Sequence, residues 1–76
     1  MIALTQAKEG QRCRIKSLNG NKRFISRITS VGLILDSVLE MIQNKGKYPL
    51  LIYTRDSMLA VNQKEAENII VEVCGE

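Results

Sequence analysis

Cysteines and carboxylates are the side chains of this sequence that could bind a metal ion or react with a substrate. Cys13 and Cys74 lie far apart and match no metal-binding or redox spacing. Asp36 and Glu40 are four residues apart, a spacing that need not bring two carboxylates together in a strand. The chain has no histidine, the usual acid or base near neutral pH. We therefore expect no metal site, no cofactor, no catalytic residues and no enzymatic activity.

Basic side chains are concentrated in the first half of the chain. Residues 1–35 contain seven Lys or Arg and one Glu, whereas residues 36–76 contain four Lys or Arg and seven Asp or Glu. A basic region can bind an acidic protein or a nucleic acid. Arg23 and Arg27 share one face of a predicted helix and could contact an acidic partner, although exposed charges of this kind usually contribute little.

The other basic residues alternate along a predicted strand. In QRCRIKSL, Cys13 and Ile15 fall on one face, and the opposite face carries Arg12, Arg14 and Lys16. These three side chains could bind phosphate, but no aromatic residue is interleaved with them to stack on bases. We therefore expect no nucleic-acid partner, and a nucleic-acid-binding small β-barrel stays open as the alternative function.

Periodicity and turn residues predict the elements that position these side chains. Residues 22–32, KRFISRITSVG, have helical spacing, with Asn21 or its neighbour as the N-cap and Gly32 in the left-handed position after the helix. Asn62, followed three residues later by Glu65, is a capping-box pattern that allows one helical turn. Strands are predicted in QRCRIKSL, SVLEMIQN, YPLLIYTR after Pro49, MLAVN and IIVEVC, with a tight turn at Asp56-Ser57.

These elements predict a mainly β fold. About five short strands form a small barrel, with one short α-helix after the first strand and a helical turn before the last. The 76 residues form a single domain, 1–76, and an apolar content of 45% excludes disorder. No apolar stretch approaches the roughly 20 residues of a membrane span, and no secretory signal is visible. We expect a cytoplasmic protein whose two cysteines stay reduced.

The order of these motifs resembles the FeoA family, small cytosolic SH3-like barrels of the bacterial ferrous iron uptake system. The resemblance runs from about Leu4 to Glu72. It includes an A-x-x-G turn, the basic alternating strand, the basic helix ending RITSVGL, a Gly and a Pro before the next strand, the segment LAV and KEAENIIVE. The most specific positions are Gly32-Leu33, Ala60 and Glu65-Ala66.

The resemblance implies an accessory role beside FeoB, the membrane ferrous iron transporter with a cytosolic G domain, and recruitment to the inner face of the membrane. The barrel also resembles the C-terminal SH3-like domain of diphtheria-toxin-repressor-type metalloregulators, so a stand-alone relative of that domain is a further alternative. Two positions differ from the FeoA pattern after the helix, where Leu35 stands for Pro and Asp36 for Gly, and Asp56 replaces the hairpin glycine. Aspartate tolerates the left-handed region, so the turns can persist.

The chain has more aliphatic side chains than one small core can bury. Leu33, Ile34 and Leu35 are consecutive, and the strand after Pro49 is apolar on both faces. An exposed apolar patch commonly marks an interface, so we expect an interaction module that binds and regulates the transporter, with self-association through an exposed strand face as a second use. The partner-binding residues we predict are Arg23, Arg27, Ile28, Gly32, Leu33, Leu51 and Tyr53.

Overall fold

A computed structural model describes residues 1–74, in which six strands form one antiparallel sheet in the order β1-β6-β2-β3-β4-β5. Strand β1 is too short to show an alternation in the sequence, which explains why about five strands were predicted. In chain order the elements are β1 (Ile2–Ala3), a 3₁₀ turn (Leu4–Gln6), β2 (Arg12–Leu18), α1 (Lys22–Ser30), β3 (Val38–Gln43), β4 (Leu50–Thr54), β5 (Ser57–Val61), α2 (Gln63–Ala66) and β6 (Ile69–Val73).

The sheet curls around one apolar core, and this confirms the mainly β fold. Alternate residues of each long strand face inward, as the period of two requires. Helix α1 lies over the core with Phe24 and Ile28 buried, whereas Val31, the next residue of the predicted apolar stripe, is exposed. Among the strands, the buried pairs are Cys13 and Ile15, Leu39 and Met41, Leu50 and Ile52, and Ile69 and Val71.

Helix α1 is fixed at both ends by the predicted residues. The Asn21 side chain accepts a hydrogen bond from the Phe24 N–H at 2.8 Å, which caps the first turn. At the other end Gly32 has φ 105° and its N–H donates to the Thr29 carbonyl at 3.0 Å. The Leu33 N–H then donates to the Ile28 carbonyl at 3.1 Å. These two bonds form a Schellman motif, in which the residue after the glycine packs back against the helix.

Two aspartates occupy turn positions that normally take glycine. Asp36 has φ 70° in a turn closed by the Ser37 N–H, which donates to the Ile34 carbonyl at 3.1 Å. A positive φ at the third turn residue is characteristic of a type II turn. Asp56, with φ 63°, follows Arg55, with φ 51°, in the two-residue connection between β4 and β5. Two successive positive φ values define a type I′ hairpin. The turn therefore lies at residues 55–56, one position before the predicted Asp56-Ser57.

Candidate functional site

The loop after α1 divides its three consecutive aliphatic residues between the core and the surface. Leu33 is 0% exposed, whereas Ile34 is 38% and Leu35 is 56% exposed. Backbone hydrogen bonds hold this loop against β2, because the Asp36 N–H donates to the Ile15 carbonyl at 2.8 Å and the Ile15 N–H donates to the Ser37 carbonyl at 2.9 Å. The two exposed side chains are thus presented by a backbone that is anchored on both sides.

A groove of about 580 Å³ lies between this loop, one flank of α1 and the end of β2. Its surface is predominantly apolar, and Lys16 is its charged residue. Ligand pockets generally combine an apolar lining with a few polar groups in this size range. The residues that line the groove are Lys16, Ser17, Leu18, Ile25, Thr29, Ile34 and Leu35.

Two predicted docking side chains are not at the surface. The expectation that the side chains of Leu33 and Ile28 are presented to a partner is wrong, because both are buried and belong to the core. Ile28 lies on the core-facing stripe of α1, and the Schellman motif turns Leu33 back against it. Gly32 itself supplies the required backbone conformation. A Cβ atom there would lie 3.4 Å from the Arg55 side chain, so the loop also approaches the β4–β5 turn.

The predicted basic residues of α1 are exposed, but they lie outside the groove. The Arg27 guanidinium forms an ion pair with the Glu65 carboxylate of α2 and lies 5.8 Å from the centroid of the Phe24 ring. Arg27 is therefore engaged within the molecule, on the side of α1 that faces α2. Arg23 is exposed and does not line the groove.

Leu51 and Tyr53 belong to a second apolar surface, which we call the outer sheet face. Tyr53 is opposite Glu40 on β3 and Met58 on β5, and Leu51 is opposite Ala60. Directly opposed residues of antiparallel strands point to the same face. The structure divides the seven predicted residues among the helix end and core, the exposed side of α1 and this sheet face, and does not bring them into one site. The apolar residues of the outer sheet face are Val38, Ile42, Leu51, Tyr53, Met58 and Ala60, and Glu40 lies among them.

The basic residues of β2 have acidic residues on the two neighbouring strands. Arg12 is opposite Glu40, and Arg14 is opposite Glu72. The ammonium group of Lys16 lies 3.6 Å from the Glu72 carboxylate. Within this predicted phosphate-binding stripe, the ion pair of Lys16 with Glu72 weakens the attraction of that one side chain for a phosphate.

Two groups have perturbed acidity, and both have a simple physical cause. Burial raises the pKa of the Cys13 thiol, and the neighbouring Cys74 adds to this effect. Cys13 and Cys74 both carry free thiols in this structure. The Tyr53 hydroxyl donates a hydrogen bond to the Asp56 carboxylate at 3.1 Å, and this bond together with the carboxylate charge raises the pKa of Tyr53.

Within residues 1–74, no three His, Cys, Asp or Glu side chains are grouped closely enough to hold a metal ion. Neither described helix combines the length and the apolar character needed to cross a lipid bilayer.

The sequence did not reveal most of the groove. Ile34 and Leu35 were part of the recognised aliphatic excess, but Leu18, Ile25 and Thr29 come from two other elements and share a surface only after folding. The available indication was Ile25, which flanks the buried stripe of α1 without belonging to it.

Comparisons with known proteins agree with this fold. The family model described as the FeoA domain matches residues 2–73. A protein of Methanocaldococcus jannaschii, provisionally named Fe(2+) transport protein A, is 32% identical over 72 residues, which cover 95% of this chain and 87% of that protein.

Solved structures show the same architecture at low sequence identity. The crystal structure of an iron uptake regulatory protein, FeoA, superimposes with a TM-score of 0.90 at 15% identity and covers 96% of this chain and 97% of that one. The manganese regulator SloR gives a TM-score of 0.84 at 16% identity, over 96% of this chain and 34% of that one. At these identities the likeness shows a shared SH3-like fold. The family model and the 32% identical relative show more: this chain belongs to the FeoA family of ferrous iron transport accessory proteins.

Proposed function

We propose that this protein is a non-enzymatic accessory that binds the cytosolic side of an FeoB-type ferrous iron transporter and regulates it. The observation that carries this proposal is the groove, an apolar concave surface with an anchored backbone. Membership of the FeoA family supports the connection with iron transport. A docking protein needs a surface for its partner, and we assign that role to the groove.

The groove favours a particular kind of contact. Its apolar lining includes the half-buried Ile25 and the exposed Ile34, and Lys16 is its charged residue. An aliphatic or aromatic side chain of the transporter, followed by an acidic residue, would match both the lining and the charge. A few buried anchors of this type usually supply most of the binding energy of a protein interface.

Regulation would require the accessory to distinguish between two states of the transporter. A bound protein shifts a conformational equilibrium only by the difference between its affinities for the two states. We therefore expect the affinity for the transporter to change with the nucleotide bound to the transporter's G domain. Equal affinities for the two nucleotide states would leave binding intact but would contradict the regulatory part of the proposal.

The decisive experiment uses two isoleucines with nearly the same exposure. Ile34 in the groove is 38% exposed and Ile42 on the outer sheet face is 40% exposed. We expect Ile34→Glu to weaken binding to the purified FeoB-type transporter by about tenfold or more, since it places an unpaired charge in the interface. Ile42→Glu should bind like the unmodified protein. Biolayer interferometry gives both affinities, and circular dichroism confirms that both variants are folded.

The same pair of variants identifies the outcomes that oppose the proposal. If Ile42→Glu loses binding and Ile34→Glu does not, the partner uses the outer sheet face. If both variants bind normally, neither surface is the docking site. Absence of binding by the unmodified protein would refute the transporter as partner.

A further inference from the structure

Strand β5 forms a free edge of the sheet. It pairs with β4 on one side and is the last strand in the order. Its sequence, Ser-Met-Leu-Ala-Val, contains no charged residue and no proline. Natural proteins usually protect an edge strand with such residues, because exposed N–H and C=O groups act as a template for another strand. An uncharged five-residue edge is therefore suited to pairing.

The hairpin geometry identifies the backbone groups that are available. The two-residue turn makes Thr54 and Ser57 the closing pair, which exchanges hydrogen bonds. Hydrogen-bonded and non-hydrogen-bonded pairs then alternate along an antiparallel ladder. The N–H and C=O groups of Met58 and Ala60 consequently point away from β4. Within residues 1–74 these groups have no other backbone partner.

The edge is complementary to itself under a two-fold rotation. We propose that two copies of this chain pair β5 with β5 in an antiparallel register centred on Leu59, with Met58 of each copy opposite Ala60 of the other. In this register all four outward N–H groups find a carbonyl acceptor. A large side chain meets a small one on the outer sheet face, and Leu59, which is half-buried on the inner side, meets its own copy.

A second copy fits this edge better than head-to-tail pairing between different edges. The opposite edge of the sheet, β1, has only two residues, so pairing of β5 with β1 of another molecule would form a short ladder. Such a contact would also repeat without closing, whereas a two-fold contact closes after two copies. The β5 edge is uncharged, so the pairing brings no like charges into the ladder.

The length of the edge sets the strength of the dimer. Stable protein interfaces bury at least about 1,200 Å², and five residues of a single strand provide less than that. We therefore expect a weak and reversible dimer that forms at high protein concentration. None of the residues that line the groove belongs to β5, so both copies keep a free groove. The dimer and the proposed transporter contact use different residues, so an experiment can refute either proposal without refuting the other.

Analytical ultracentrifugation from about 10 µM to 1 mM tests the association, because this range covers weak interfaces. The unmodified protein should shift from monomer to dimer. Ala60→Pro removes one outward N–H without removing a bond to β4, and it should shift the dissociation constant upward by about tenfold or more. Ala60→Ser keeps the N–H and the small side chain, and it should dimerise normally. If Ala60→Pro unfolds, Met58→Lys provides the same test from an exposed position.

Cross-linking tests the register. In a chain that also carries Cys74→Ser, Leu59→Cys should form a disulfide-linked dimer under mild oxidation with oxidised glutathione, because directly opposed non-hydrogen-bonded residues have Cα atoms about 4.5 Å apart. Ile42→Cys in the same background is exposed but lies on β3, away from the edge, and it should form no disulfide-linked dimer. A monomer at about 1 mM, or a dimer that survives Ala60→Pro, overturns the proposal. The proposal is also overturned if the protein stays monomeric and the β5 substitutions abolish binding to the transporter. In that case the edge pairs with a strand of the transporter.

Discussion

The groove and the outer sheet face are both apolar and exposed, but they arise in different ways. The groove combines a loop, one flank of α1 and the end of β2, and it is concave. The outer sheet face is formed by neighbouring strands whose opposed residues point to the same side, and it includes Tyr53 and Met58, which are 41% and 53% exposed. A concave apolar surface can surround a partner side chain, whereas the outer sheet face is open and ends at β5, whose free edge offers backbone hydrogen bonds. The difference suggests two separate uses, docking of a partner and self-association.

Charge separates the two surfaces further. The outer sheet face contains one carboxylate among its paired residues, Glu40, which lies opposite Tyr53 on β4 and opposite Arg12 on β2. At the groove, Lys16 is the charged residue, and its contact with Glu72 at 3.6 Å is exposed on both sides. Exposed pairs of this type are worth about 0–1 kcal/mol, so Lys16 can change partners at little cost.

The largest expected effect is a loss of folding stability, and it distinguishes truncation of Leu33 from truncation of Leu35 in the same loop. Leu33→Ala should lower the free energy of unfolding by about 2–5 kcal/mol, since it leaves a cavity where a fully buried side chain packed. Leu35→Ala, in the exposed part of the same loop, should change it by no more than about 0.5 kcal/mol. Urea denaturation followed by circular dichroism measures both values. Equal losses for the two variants would contradict the division of this loop between core and groove.

The sequence predicted the parts of this region that depend on local backbone chemistry. Asn21 as N-cap and Gly32 at the helix end were both correct, and Asp56 in a turn with positive φ was expected from the tolerance of aspartate for that region. These features are decided by a few neighbouring residues. The strand periodicity likewise identified Leu51 and Tyr53 as facing away from Leu50 and Ile52.

The positions of the side chains after the helix could not be predicted in the same way. Three consecutive aliphatic residues have no period, so the sequence does not show which of them turns inward. The choice of Leu33 depends on the Schellman bond between the Leu33 N–H and the Ile28 carbonyl. The groove depends in addition on how closely the loop approaches β2, which is a property of the tertiary structure.

A smaller loss of stability is expected when the N-cap of α1 is removed. Helix α1 forms one side of the groove and no part of the outer sheet face. Asn21→Ala should destabilise the protein by about 1 kcal/mol, because the Phe24 N–H loses its acceptor. Amide exchange should accelerate in the first turn of α1 and stay unchanged in β4. Asn19→Ala is the matched control, since Asn19 is exposed and caps no helix. Uniform acceleration throughout the chain would show that α1 does not open separately from the sheet.

The smallest effect concerns the polar end of the outer sheet face. Asp56→Asn should lower the pKa of Tyr53 toward its ordinary value, because the hydrogen bond to a charged acceptor is what raises it. Asparagine also tolerates the left-handed conformation, so the turn should persist. Near-ultraviolet absorbance titration in a Tyr48→Phe background isolates the Tyr53 phenol. Identical titration curves with and without the substitution would show that the Tyr53–Asp56 bond is not formed in solution.

The direction of this pKa shift also fixes its effect on stability. Because the pKa of Tyr53 is higher in the folded than in the unfolded protein, its stabilising contribution is complete below the unfolded pKa of about 10 and is lost as the pH rises through the folded pKa. Asp56→Asn should therefore flatten the decline of stability in alkaline solution, as measured by urea denaturation at increasing pH. A partner that covered the outer sheet face would meet a Tyr53 ring whose hydroxyl is already satisfied. This leaves the ring as an apolar contact, and the hydroxyl would add little specificity to that surface.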